Sequence, residues 1–348
     1  MQLKYAKGFA VDYYETFKVI SVYTVDSSHT LQEQYVILPP NKKAPIGFEN
    51  AVLIPDSNMN AVCISTTHIA AMAELGLMNK ISGVTNSKLI YNKQVRDLVS
   101  QGKIEDVGND AGLNFEKIVQ LNPSIIMTYG GIEGGGMGIS KLKSLGQRVI
   151  LNNDYMEQNP LARAEWIKFT AAFFDAEDIA DSIFNKVDSS YTELREMHEL
   201  FESKPTVFCN LPFKEIWYMP CGDNYMAQLL RDAGADFLWA EAGQQNGLNL
   251  SLNYEAVYGQ AAEADYWINT NFANSLNEIK ALDNKNTFFK AYKQKKVYNN
   301  NNRNTADGGF DFWESGAMHP ELILADLINI FHPGKLLNAQ LHYYHKLN

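Results

Sequence analysis

Three cysteines in 348 residues are too few to staple a fold. Cys209 and Cys221 flank a possible hairpin and could pair in an oxidising compartment, but buried free thiols are the simpler expectation. No apolar run reaches the roughly 18 residues that a membrane-spanning helix needs. Positive charge is scarce, with 30 Lys+Arg against 40 Asp+Glu and a formal net charge of -10. That balance argues against a nucleic-acid partner, which requires clustered Lys and Arg, and against a polybasic membrane patch. The chain has no G-x-S-x-G nucleophile elbow, no H-E-x-x-H and no C-x-x-C. Its seven histidines lack metal-ligand spacing. His342 and His345 lie three apart on what reads as a terminal helix and are expected on its solvated face. No catalytic and no metal-ligating residue is therefore assigned. Met1-Gln2 opens no basic-then-apolar leader, so a secretory signal would have to be absent or already trimmed.

What the chain does have is one short phrase used twice. Leu113-Asn114-Phe115-Glu116 leads to the apolar run Ile125-Ile126-Met127, and Leu252-Asn253-Tyr254-Glu255 leads to Tyr266-Trp267-Ile268. Each copy reads as a polar cap, a helix with glutamate in its first turn, and a buried strand. In each half an earlier helix stops at a glycine, Gly76 or Gly234. Two like-built α/β halves with a glutamate at the same place suggest a two-point contact with something outside. Helix capping alone would also account for either glutamate.

Residues 1–50 differ in pattern from the rest of the chain. Lys18–Val25 and Gln34–Leu38 are rich in β-branched and aromatic residues and predict antiparallel strands. From residue 51 strands and helices alternate, beginning with Ala51–Pro55 and Ala61–Ile64, which predicts a mostly parallel sheet covered on both faces. Residues 159–204 interrupt this with helical pattern, including a helix from about Ala176 to Phe201. Alternation resumes over 205–348 and closes with helices containing Glu321–Phe331 and Gly334–His345. The expected organisation is a β extension (1–50) packed on a first α/β lobe (51–158), an inter-lobe helix (159–204) and a second α/β lobe (205–348).

Ligands of open α/β sheets sit beyond the carboxyl ends of the strands. There the sequence places Asn86, Asn109, Tyr129, Gly130, Trp217, Arg303, Phe310 and Trp313 as candidate ligand contacts. For any one of the aromatics simple packing is the readier expectation, whereas together these loops suit a large, partly apolar, partly polar ligand. Arg303 could meet a carboxylate or catecholate oxygen, or simply pair with Asp307 or Asp311. The glycine-rich stretch Gly130–Gly138 matches no phosphate-binding fingerprint. It reads as a mobile loop or as one that lets a bulky ligand approach the backbone.

From about residue 51 to 345 the chain resembles the class III substrate-binding proteins of ABC importers for iron–siderophore complexes, haem and cobalamin. The stretch Asn114-Phe115-Glu116 through Leu121-Asn122-Pro123-Ser124-Ile125-Ile126 is similar to that family's N-x-E-x-[IL]-x-x-L-x-P-D-[LV]-[IV] signature, with Ser124 where the family has Asp. Asn253-Tyr254-Glu255 and Ala264-Asp265-Tyr266-Trp267-Ile268 are similar to its second copy, without the proline. The resemblance implies two Rossmann-like lobes with mostly parallel sheets joined by a long α-helix. It implies an extracytoplasmic, non-enzymatic protein with no resident cofactor, which captures a metal chelate between its lobes, a ferric siderophore first and haem or a corrinoid next. The partner would be an ABC importer permease, docked by Glu116 and Glu255. The protein would be a monomer, periplasmic or at the cell surface, held by an N-terminal lipid in the full-length precursor. The alternative is a chelatase-like tetrapyrrole enzyme of similar bilobal fold. It would need a metal-handling His/Glu pair, for which His319 with Glu314 or Glu321 is the candidate.

Overall fold

The computed structural model describes every residue except 27, 57, 110–111, 131–137, 244–248 and 339, and the backbone alone of Glu199. The chain divides into two compact units. Unit 1 comprises Met1–Glu157, Leu161–Lys186 and Thr305–Met318; unit 2 comprises Gln158–Pro160, Val187–Asn304 and His319–Asn348. Each is built on a mainly parallel five-stranded sheet, so the expected α/β class holds.

In unit 1 the sheet runs Val149–Leu151, Ile125–Thr128, Ala61–Cys63, Ile81–Val84, Glu105–Asp106, all parallel. Strand side chains alternate between faces, and here both faces are buried. Ala61, Cys63, Ile125, Met127 and Ile150 join one cluster with Trp166, Phe169 and Phe173. Val62, Ile64, Ile126 and Val149 join another with Ile118 and Leu142. This two-sided burial is why these strands read as continuous apolar runs.

The first of those faces is closed in part by a four-stranded sheet of Phe9–Tyr13, Lys18–Tyr23, Leu31–Leu38 and Val52–Pro55. Its first two pairings are antiparallel, as the β-branched pattern predicts. Val52–Pro55, which the sequence assigns to the α/β alternation, instead pairs parallel with Leu31–Leu38. A polar contact ties the two sheets together: the Leu151 backbone N–H donates to the Tyr35 hydroxyl oxygen at 2.8 Å.

The segment before the first strand makes few ladder bonds and is held by two buried carboxylates. Glu165 accepts the backbone N–H groups of Lys4, Tyr5 and Ala6 at 2.7–3.1 Å. Glu157 accepts those of Lys7 and Gly8, both at 2.9 Å, and the Trp166 indole N–H at 3.1 Å. Lys168 neutralises Glu165 at 3.1 Å and donates to the Gln2 carbonyl at 2.9 Å. A third carboxylate, Glu314, accepts Tyr91 and Asn92 N–H at 2.6 and 2.8 Å. Glu314 lies in the returning segment Thr305–Met318, where Gly309 runs so close to the Leu89 carbonyl that a Cβ would stand 2.3 Å from it.

Unit 2 has the order Asp236–Phe237, Thr206–Cys209, Tyr266–Ile268, Val297–Asn299, His345–Lys346, parallel except for the last pairing. Its core stacks Phe208, Trp217, Trp267 and Phe289 with ring centroids 4.9–6.1 Å apart. Among the described residues of Gly334–His345 the expected terminal helix does not form. Asp326 draws in the N–H groups of His342, Tyr343 and Tyr344 at 2.7–3.0 Å, and His345–Lys346 adds a strand to the sheet. His345 is accordingly half-buried, its ring 2.7 Å from Asn301 Oδ1, rather than on a solvated helix face. The long helix is Glu177–Glu196, continued as a 3-10 turn over Met197–Leu200. All three cysteines are free and buried, so Cys209 and Cys221 are not bonded.

Replacing Glu165 by Ala would strand three backbone donors and leave Lys168 with Asp181 as its carboxylate partner, at a cost of about 3 kcal/mol, read as a lower urea midpoint. Burial lifts the Glu314 carboxyl to about 7 and that of Asp326 to about 6, against the two sets of backbone N–H groups that favour ionisation. The folded state thus binds protons that the unfolded chain has released, so these groups make stability fall as pH rises from about 4.5 to about 7. Thermal melts of Glu314→Gln across that window should show a shallower fall than the parent protein.

Candidate ligand-binding site

Within unit 1 a cavity of about 440 Å³ is lined by Ser65, Thr67, His68, Tyr129, Asp154, Tyr155 and Arg163. Its walls follow from the sheet. Ser65 to His68 come directly after the strand Ala61–Cys63, Tyr129 after Ile125–Thr128, and Asp154 and Tyr155 after Val149–Leu151. These three strands are neighbours, and the chain leaves the first of them in one direction and fills the other side later. That reversal opens a crevice at the carboxyl ends of the strands.

Ser65 caps the helix Thr66–Glu74, its Oγ accepting the Thr67 N–H at 3.3 Å. The positive end of that helix therefore borders the cavity. Arg163 and Asp154 face each other at 3.5 Å, both largely buried. Burial pushes the Asp154 carboxyl up, and Arg163 only partly offsets this. His68 is fully buried; burial lowers its pKa to about 3, with slight opposition from the Met127 backbone, so the ring is neutral. Neither ring nitrogen completes a hydrogen bond of normal geometry. Tyr129 and Tyr155 meet edge to face with centroids 6.2 Å apart. One cation matched by one anion, two phenol rings and a few hydroxyls suit a ligand with an apolar body and a small number of oxygens.

Of the residues predicted from sequence, Tyr129 lines this cavity and Gly130 adjoins it. The Gly130 N–H donates to Asn153 Oδ1 at 2.9 Å, and its carbonyl accepts the Tyr155 hydroxyl. Asn86, left-handed with φ 51°, opens the turn Ser87–Leu89; Asn109 is exposed in the short strand Gly108–Asn109. Neither lines the cavity. Phe310 is half-buried and Trp313 is 47% exposed, packed edge to face on Phe312; both belong to the segment that returns to unit 1. Arg303 is half-buried in unit 2. Trp217 must be reassigned. Its side chain is wholly buried in the unit 2 aromatic core, and its indole N–H donates to the Cys209 carbonyl at 2.7 Å, leaving no surface for a ligand. Most of the stretch Gly130–Gly138 lies outside the described residues.

Sequence reasoning misses Ser65, Thr67, His68, Asp154, Tyr155 and Arg163. The strand-end rule reaches the first five, but a serine or threonine ahead of a helix is accounted for by capping alone and draws no attention to its neighbours. Arg163 reads as part of the helical stretch. Of the two candidate chelatase pairs, the structure brings His319 and Glu321 together at 3.1 Å in unit 2, whereas Glu314 is committed to the Tyr91 and Asn92 amides in unit 1. Among the described residues no group of three His, Cys, Asp or Glu side chains could hold a metal ion.

The repeated phrase has one local geometry in both units. Asn114 Oδ1 accepts the Lys117 N–H at 3.0 Å, and Asn253 Oδ1 accepts the Ala256 N–H at 2.8 Å. Glu116 and Glu255 follow in the first turns of Phe115–Leu121 and Tyr254–Ala261, and both are exposed. A carboxylate there is favoured by the unpaired amides of the helix start and can be displayed outward at little cost.

Comparison with known proteins agrees with this arrangement. An uncharacterized lipoprotein of Methanocaldococcus jannaschii is 26% identical over 99% of this chain and 85% of its own length. The crystal structure of a periplasmic haem binding protein from Pseudomonas aeruginosa is similar with a TM-score of 0.60 and 16% identity, covering 83% of this chain and 98% of that one. That of an ABC-type Fe3+-hydroxamate transport system from Saccharomonospora viridis has a TM-score of 0.60 and 14% identity, covering 78% and 93%. A family model described as periplasmic binding protein matches residues 62–303, well over half of the sequence. The resemblance read from the two Asn-aromatic-Glu phrases therefore holds, and the chain belongs to the periplasmic binding protein family.

Proposed function

We propose that this protein is the extracytoplasmic substrate-binding component of an ABC importer and that it captures a metal chelate, a ferric siderophore first and haem or a corrinoid next. The observation that carries this reading is the unit 1 cavity at the reversal of strand order, with its two phenol rings and its neutralised Arg163–Asp154 pair. The similar structures of a haem binding protein and of an Fe3+-hydroxamate transport system support this class of ligand. Family membership supports transport rather than catalysis. The lipoprotein relative supports attachment at the outer face of the membrane, and among the described residues no helix is long and apolar enough to cross it. Glu116 and Glu255 are the proposed contacts to the permease, and Arg303, Phe310 and Trp313 remain proposed ligand contacts outside the cavity wall.

Titration with ferric desferrioxamine, haemin and cyanocobalamin, followed by tryptophan and tyrosine emission, tests the ligand class. Saturable binding without turnover is expected for one of them, and Arg163→Ala should weaken it about tenfold, roughly 1.4 kcal/mol. Binding by none of the three would overturn the chelate reading, and an unaffected Arg163→Ala would overturn the cavity assignment. Reversing both Glu116 and Glu255 to Lys should leave affinity within about threefold, under roughly 0.7 kcal/mol, while abolishing uptake by membranes carrying the permease. Normal uptake by the double variant would remove these residues from the docking role.

A further inference from the structure

The N-terminal sheet lies outside residues 62–303, yet one of its side chains reaches Asn153, the residue next to Asp154 in the cavity wall. Gln32, in the strand Leu31–Leu38, accepts a hydrogen bond from Asn153 Nδ2 through its Oε1 at 2.8 Å. Asn153 is 4% exposed, and its Oδ1 accepts the Gly130 N–H at 2.9 Å. The Gly130 carbonyl in turn accepts the Tyr155 hydroxyl, and Tyr155 forms part of the cavity with Tyr129.

The direction of this relay is fixed by chemistry. A backbone N–H can only donate, so the oxygen of the Asn153 amide must face Gly130 and its NH2 must face away. The group on the far side must then be an acceptor, and Gln32 supplies it. Without that acceptor, a nearly buried NH2 loses its partner, and the amide no longer prefers the orientation that serves Gly130. The fit is close as well as directional: a Cβ at Gly130 would stand 3.1 Å from Asn153 Oδ1.

We infer that Gln32 is a positioning residue for the cavity, orienting the Asn153 amide and through it Gly130 and Tyr155. The inference rests on the proposed function only in treating this cavity as the ligand site. The N-terminal sheet thereby contributes to the site as well as covering the core.

The test compares the full chain with Gln32→Leu, which removes the acceptor, and Gln32→Glu, which keeps one. Amide hydrogen exchange and the Tyr155 ring resonances are followed by NMR without ligand. Gln32→Leu should speed Gly130 exchange about tenfold and shift the Tyr155 ring, while Lys18–Tyr23 amides stay within about twofold. Gln32→Glu should remain near the parent on both readings. Unchanged Gly130 exchange in Gln32→Leu, or equal losses in both variants, would overturn the inference. If haemin, ferric desferrioxamine or cyanocobalamin binds, Gln32→Leu and Asn153→Ala should each weaken it and the double variant should be no worse than either alone. Unweakened binding would overturn the role in the site. If none binds, the ligand reading fails while the exchange and ring measurements still decide the positioning.

Discussion

Buried carboxylates that gather consecutive backbone N–H groups hold together the parts of this chain that helices and sheets do not. Glu165 and Glu157 between them take the amides of residues 4 to 8, Glu314 takes those of Tyr91 and Asn92, and Asp326 takes those of residues 342 to 344. An irregular segment against a core has amides that water cannot reach, and each needs an acceptor. A carboxylate offers two oxygens with several lone pairs, and its bonds to N–H groups are stronger than neutral ones. Desolvation opposes this, which is why Glu157, Glu314 and Asp326 all have raised pKa values. The ordered start, the ordered end and the returning segment all depend on that balance.

A similar matching of charge shapes the cavity. Its single guanidinium faces a carboxylate, its imidazole is neutral, and its two phenol rings pack edge to face on each other. Such a wall discriminates by shape and by a few placed oxygens more than by net charge. The strands that deliver these residues are buried on both faces, so their ends are fixed in position, and the variable chemistry is confined to the turns beyond them.

Much of this architecture is legible in the residues. Two-sided apolar strands, Asn caps followed by Glu, and helix ends at Gly76 and Gly234 (both at φ +71°) predict the elements and the doubled plan. What escapes is non-local. Val52–Pro55 looks like any buried strand, and only its partner reveals that it closes the N-terminal sheet. Trp217 has the composition of a ligand contact, but a strand residue's face is set by register, and its face is the core. The Gly334–His345 pattern would support a helix if Asp326 did not compete for its amides. In the site, Tyr129 is visible because it ends an obvious strand; Arg163 is not, because it comes from the helical stretch after residue 159.

The path of Thr305–Met318 has a practical consequence for anyone cutting the gene. Because this piece of late sequence is part of unit 1, any uninterrupted fragment that contains that unit whole must run from Met1 to Met318 and carry most of unit 2 with it. A fragment ending at residue 186 would lack Glu314 and the short helix Asp311–Glu314 that rests on Thr66–Glu74. Synthesis must pass residue 318 before unit 1 can finish assembling.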